Sequence, residues 1–145
     1  MGQQQLLLVI LVAIIVGIAT VVALNVFGTN AKNANIDAVR QDMLTIASSG
    51  QAYFIKPTMM GGGGTSFKGM KFNDINFAAD STFNSGLSAT NMNGTYVVSS
   101  RGDSSFVLTA YPSSDAGYSK GAASGSSMQA TVFNQNITWQ KNSPQ

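Results

Sequence analysis

The side chains that could carry chemistry in this chain are few, and their spacing gathers none of them into a working group. The acidic residues are all aspartates, Asp37, Asp42, Asp74, Asp80, Asp103 and Asp115, scattered without a motif. Paired carboxylates for general acid and base work are not visible in that spacing. Histidine, cysteine and glutamate are absent, which removes disulfides, thiol nucleophiles, most zinc sites and the usual near-neutral proton shuttle. The basic residues Lys32, Arg40, Lys56, Lys68, Lys71, Arg101, Lys120 and Lys141 leave a formal net charge of only +2 and do not cluster, as a nucleic-acid surface would require. The expectation is a protein that is not an enzyme, holds no metal or cofactor and binds no nucleic acid.

Four short patterns invite chemistry and have simpler readings. Arg101-Gly102-Asp103 is a tripeptide of the kind that docks into integrin-type receptors from a hairpin tip, yet a glycine between two good strands is what a hairpin needs in any case. Gly61 to Gly64 has the glycine density of a phosphate-cradling loop, but no Gly-Lys-Ser/Thr ending follows, so it reads as a joint between helix and sheet. Asn93-Gly94-Thr95 and Asn136-Ile137-Thr138 match the acceptor pattern for N-glycosylation. Phe27, Tyr53 and Phe54 would serve an electron path along a filament, whereas core packing explains such aromatics more cheaply.

The elements that position these residues begin with LLLVILVAIIVGIATVVAL, from Leu6 to Leu24. Leu6, Leu7, Leu8, Val9, Ile10, Leu11, Val12, Ile14, Ile15, Val16, Ile18, Val21, Val22 and Leu24 make an uncharged run of bilayer-spanning length. Burying each such side chain is worth about 1.5 to 3 kcal/mol, so leaving the run in water forfeits on the order of 30 kcal/mol. It must sit in lipid or against other chains. A secretory signal needs a basic start and a small-residue cleavage site, and the start here is Met-Gly-Gln-Gln-Gln. An ordinary membrane anchor predicts a stop in helicity and flanking charges at the end of the run.

Beyond Leu24 no proline intervenes until Pro57, and Ile36, Val39, Met43, Ile46, Gly50 and Tyr53 recur at spacings of three and four, which places them on one helical stripe. One helix over about residues 2–54 follows, roughly 80 Å at about 1.5 Å per residue, far longer than a bilayer needs. Gly17 and Gly28 are its expected weak points.

After Ile55-Lys56-Pro57-Thr58 stops the helix, Phe67–Phe72 and Ile75–Ala78 read as short extended pieces, and Ser81–Asn93 as polar loop. Clear strand signals are TYVVSS (Thr95–Ser100), SFVLTAY (Ser105–Tyr111), MQATVFN (Met128–Asn134) and ITWQK (Ile137–Lys141). Ser113–Ser127 reads as an exposed small-residue loop whose hydroxyls could carry glycans. The expected fold class is α+β: a long N-terminal α-helix, apolar then amphipathic, packed on an antiparallel β-meander of about four strands. The expected divisions are 1–54 helix, 55–66 glycine-rich joint and 67–145 β-rich domain.

A short polar start, the apolar run containing Val12-Ala13-Ile14-Ile15-Val16-Gly17, and a continuous amphipathic helix ahead of a small β-rich domain together resemble bacterial type IV pilins. The sequence-specific part of the likeness is confined to roughly the first quarter. In that family a glycine precedes the prepilin-peptidase cut, and a glutamate stands at the fifth mature position. The resemblance places Gly2 at the cut and makes Gln3 the first mature residue. No basic leader precedes Gly2, and the fifth position is Leu7 counted from Gln3, or Gln5 counted from Met1. The family's frequent proline after the apolar core is also missing.

In the family that glutamate pairs with a neighbouring subunit's terminus, where an unpaired charge is expensive. Here the amide oxygens of Gln3, Gln4 and Gln5 are the side-chain acceptors near that terminus. Methylation, cyclisation of Gln3 or a position near solvent are the alternatives.

The resemblance implies a major subunit of an extracellular pilus-like filament, a helical homopolymer bundled through the apolar run. It implies storage in the inner membrane, prepilin peptidase and the pilus assembly machinery as partners, and work in attachment, aggregation or motility. A type II secretion pseudopilin shares the helix, and a monomeric single-pass protein with a ligand-binding domain is the alternative of another class.

Overall fold

The computed structural model describes residues 2–114, 118–119, 122–123 and 127–140. One helix, α1, runs from Gly2 to Ile55, because no residue in that stretch lacks a backbone N–H or forces a break. Gly17 and Gly28 sit inside it without interrupting it. It ends where Pro57 follows, and the glycine-rich segment folds back to cap it. Gly63 N–H donates to the Tyr53 carbonyl (2.8 Å), Thr65 N–H to Phe54 (2.8 Å) and Gly64 N–H to Lys56 (3.0 Å). These bonds satisfy carbonyls that a helix end otherwise leaves open. A Cβ on Gly62 or Gly63 would strike the carbonyl oxygens of Lys56 or Ser66, respectively. Close approach, more than freedom, therefore demands glycine in this joint.

The strands are β1 (Ser81–Phe83), β2 (Ser88–Thr90), β3 (Gly94–Ser99), β4 (Ser105–Pro112), β5 (Tyr118–Ser119), β6 (Ala122–Ala123), β7 (Met128–Phe133) and β8 (Ile137–Trp139). Six form one antiparallel sheet in the order β1-β2-β3-β4-β7-β8, and β5 and β6 pair as a separate small hairpin. The fold class is thus α+β, with the helix packed on an antiparallel meander of six strands where the residue pattern alone implied about four.

The two additional strands, β1 and β2, lie in the stretch read as loop. Ser88-Ala89-Thr90 carries little β-branched or aromatic signal, but Ala89 is fully buried and stands opposite Tyr96 in the register. A small residue there makes room for the phenol ring, so packing on a neighbour decides the conformation. Asn84, Ser85 and Gly86 all take positive φ to turn β1 into β2. Conversely, Phe67–Phe72 and Ile75–Ala78 form no strand. A 3-10 turn spans Phe72–Asp74, with Lys71 N–H donating to Asp74 Oδ2 (3.2 Å), while Phe67, Met70, Phe72 and Ile75 plug the core one by one. Of the loop expected over 113–127, residues 115–117, 120–121 and 124–126 lie outside the described set, as does Lys141 at the end of the last expected strand.

Compactness divides the chain inside α1, into a unit ending at Ala34 and a unit beginning at Asn35. In the second unit Ile36, Val39, Met43, Ile46, Ala47, Gly50 and Tyr53 are buried, which is the stripe read from the sequence with Ala47 added. The opposing layer comes from strict alternation. Phe106, Leu108 and Ala110 of β4, and Met128, Ala130 and Val132 of β7, face inward. At three places the register pairs large with small, Leu108 with Ala130 and Ala110 with both Tyr96 and Met128, which lets the larger side chains spread across the layer. Gly50 marks a close helix-to-sheet approach, since a Cβ there would lie 2.9 Å from the Phe106 ring.

Candidate functional site

The first unit is a stretch of helix whose large apolar side chains are exposed. From Leu6 to Phe27 the large apolar residues are exposed, from 48% at Ile10 to 72% at Phe27. The segment is long and apolar enough to cross a membrane, and its most apolar window has no buried residue. Every filament-core residue named from the sequence, Leu6 through Leu24, belongs to this surface.

Both of its threonine hydroxyls are satisfied within the helix. Thr20 Oγ1 donates to the Val16 carbonyl (2.8 Å), and Thr29 Oγ1 to that of Asn25 (3.0 Å). In hydrocarbon or in a protein interior neither hydroxyl would be left unpaired. Gly2, Gln3, Gln4 and Gln5 form the exposed first turn, which holds no acidic side chain. The helix N-terminus thus presents open N–H groups and a positive dipole end without a carboxylate of its own to meet them. At Gly17 and Gly28 a built Cβ meets nothing, so neither glycine is required by contacts inside one chain.

In the second unit the charged and aromatic residues that might have made a site serve as fasteners. Asp42 Oδ2 accepts three hydrogen bonds, from Tyr96 Oη (2.6 Å), Asn93 Nδ2 (2.8 Å) and Asn91 Nδ2 (2.9 Å). Burial alone would raise this carboxyl, but the bonds from Asn93, Tyr96 and Asn91 outweigh it and hold it below the usual carboxylate range. Burial, then the hydrogen bond and charge of Asp42, push the Tyr96 phenol far up. Asn35 extends the clasp, donating to the Asn93 carbonyl (2.9 Å) and accepting from Ser114 N–H (3.1 Å). Sequence spacing gave no hint of this cluster, because Asn91, Asn93 and Tyr96 reach Asp42 only through the β2–β3 turn. Among the described residues no three acidic side chains gather.

The Arg101-Gly102-Asp103 tripeptide does lie between β3 and β4, and both its charged ends are engaged. Arg101 donates to the Met70 carbonyl (2.6 Å), while Asp103 takes Lys68 Nζ (2.8 Å) and Ser66 Oγ (2.9 Å). The hydrogen bonds of Lys68 and then Ser66 hold the Asp103 carboxyl low. Gly102 N–H closes the turn onto the Ser105 carbonyl (2.8 Å). Of the two glycosylation patterns, Asn93 is tied to Asp42 with Gly94 and Thr95 buried behind it, whereas Asn136 is exposed in the β7–β8 turn. Tyr53 is buried and Phe54 packs on Phe67 (centroids 4.8 Å), which in turn meets Phe106 (5.1 Å). Core packing accounts for both.

Comparison with protein-family models, with curated proteins and with solved structures finds no match to this chain. The functional reading therefore rests on the residues themselves.

Proposed function

We propose that the chain is a structural subunit, without catalytic activity, of an extracellular filament of the type IV pilus kind. The observation that carries this reading is the apolar half of α1, exposed along its length and continuous with a helical stretch whose inner stripe is buried in the β domain. A membrane-spanning helix alone accounts for the apolar half. A filament accounts as well for the unbroken continuation of that helix into the domain core, since a helix that must carry its domain into a polymer gains from having no break. The subunit waits in the inner membrane, is processed after Gly2, and trades lipid contacts for contacts with copies of itself. In the polymer the amides of Gln3, Gln4 and Gln5 meet the neighbour's terminus in place of a carboxylate. Attachment, aggregation or motility is its work.

Electron micrographs of surface material sheared from the producing cells, with N-terminal sequencing and intact mass of the isolated fibres, test the reading. Fibres made of this chain beginning at Gln3 are expected. Scarce periplasmic protein without surface fibres would favour a pseudopilin. Monomers in detergent that never polymerise, and cells without such fibres, would favour a single-pass anchored domain and defeat the proposal.

A further inference from the structure

Asn93-Gly94 is the one Asn-Gly pair in the sequence, and packing asks for both of its residues. Gly94 is buried at the start of β3, opposite Pro112 of β4, and a Cβ there would strike the Tyr111 carbonyl oxygen. Asn93 belongs to the clasp, its Nδ2 donating to Asp42 Oδ2 (2.8 Å). Together the two have a reactivity that neither has alone. The peptide nitrogen that follows an asparagine can close on the side-chain amide carbon, and glycine, without a Cβ, leaves that nitrogen least shielded.

The fold holds each reacting group elsewhere. Gly94 N–H, the nucleophile, donates to Asn91 Oδ1 (3.1 Å), as does Asn93 N–H (3.0 Å). The leaving amide is bound to Asp42. The carbonyl between the two residues accepts from Ser113 N–H (2.8 Å) and Asn35 Nδ2 (2.9 Å). Turning the Asn93 side chain onto the Gly94 nitrogen therefore breaks bonds at both ends, and the reaction waits on local opening.

We propose that Asn93-Gly94 is a site of spontaneous deamidation, held closed by the Asp42 clasp in the folded domain, and that its conversion unfastens that clasp. This is chemistry of the β domain, whether or not the chain polymerises. On opening, Gly94 N attacks Asn93 Cγ and gives up its proton, the Cγ–Nδ2 bond breaks, and Nδ2 leaves as ammonia. Water then opens the cyclic imide. Breaking the bond from the Gly94 nitrogen to Cγ gives aspartate at position 93, and breaking its bond to the main-chain carbon gives isoaspartate. Either product sets a second carboxylate where a donor to Asp42 stood, and like charges at that range repel. Isoaspartate also adds a carbon to the main chain just ahead of the Gly94–Pro112 pair that begins the β3–β4 register. Loss of ammonia makes the change one-way, so it accumulates with the age of the molecule.

The test incubates the full chain in detergent at mildly alkaline pH, folded and in urea, and follows every asparagine by peptide mass mapping. In urea position 93 should convert fastest. In the folded chain it should convert at least about a hundredfold more slowly than in urea, as a reaction confined to the opened state does. Asn93→Asp should lower the unfolding midpoint in melts. In an Asp42→Asn background the same substitution should cost about tenfold less in the unfolding equilibrium constant, because the repulsion is gone. If Asn93→Asp does not fold, aged wild-type and Asp42→Asn chains resolved by ion exchange supply the same comparison.

Conversion at position 93 in urea no faster than at the other asparagines, or equal rates in the folded and unfolded chains, would overturn the proposal. So would converted chains that melt like wild type, or an equal cost of the new carboxylate in both backgrounds.

Discussion

Asp42 on the helix and Tyr96 on β3 are joined by a 2.6 Å hydrogen bond at the boundary between the helix and the sheet. The bond fixes a phenol that is itself fully buried and edge-on to Phe77 (centroids 5.2 Å). Helix position and core packing are therefore coupled at one carboxylate. Asp42→Asn keeps the shape but removes the charge that three donors share. Because the carboxylate is only partly buried, a loss of about 1 to 2 kcal/mol is expected in urea unfolding, after allowance for solvent screening.

The pH dependence follows from the same group. The folded-state carboxyl of Asp42 is held low, so its contribution is complete above the unfolded value of about 4 and is lost as pH falls through the folded value. Acid unfolding of the wild type should steepen below about pH 4, and Asp42→Asn should flatten that limb. Equal slopes for the two proteins in pH-dependent thermal melts would contradict the assignment.

Gly50 is where α1 comes nearest to Phe106, with no space for a side chain. Phe106 is wholly buried against Phe67 and has no free direction in which to yield. Gly50→Val should destabilise the domain by about 2 kcal/mol, read as a lower unfolding midpoint with the helical signal retained.

In the joint, Gly63→Ala would drive a methyl into the Ser66 carbonyl and pull the Gly63 N–H off Tyr53. A loss of about 2 kcal/mol is expected. Amide exchange should speed up at Gly63, Gly64 and Thr65 before it does in the sheet.

Asp103 and its partner Lys68 are both largely exposed. Asp103→Ala should leave the unfolding midpoint close to that of wild type, as loss of an exposed ion pair does, and leave attachment of the producing cells to surfaces unchanged. A loss of attachment by correctly folded protein would reinstate the tripeptide as an adhesive element.

A charge at the middle of the apolar segment meets the opposite situation. Ile14→Lys should oppose membrane insertion by roughly 3 kcal/mol, measured as protein released from membranes at alkaline pH. Retention equal to wild type would argue against a membrane-spanning role.

Much of this architecture was legible because two periodicities are clean. The stripe from Ile36 to Tyr53 keeps one helical face, and β4 alternates from Ser105 to Pro112 without a lapse. What escaped was set by partners distant in sequence. Ala89 becomes strand because Tyr96 stands opposite it, and Phe67 and Met70 serve the core from irregular backbone that no local period marks. The Asp42 clasp was invisible for the same reason, since its amide donors lie about fifty positions away. In the candidate site the apolar run could be read directly, as its meaning lies in composition. The outward side of the second half followed from the same helical period, and Arg40, Gln41 and Ser48 are exposed opposite the buried stripe.

The inward-turned hydroxyl of Thr20 gives the first half of α1 an unusual independence from its surroundings. Between Leu6 and Leu24 Thr20 carries the one hydrogen-bonding side chain, and its hydroxyl is already matched. In the proposed transfer from lipid to other helices that run would therefore give up no side-chain hydrogen bond and exchange mainly dispersion contacts.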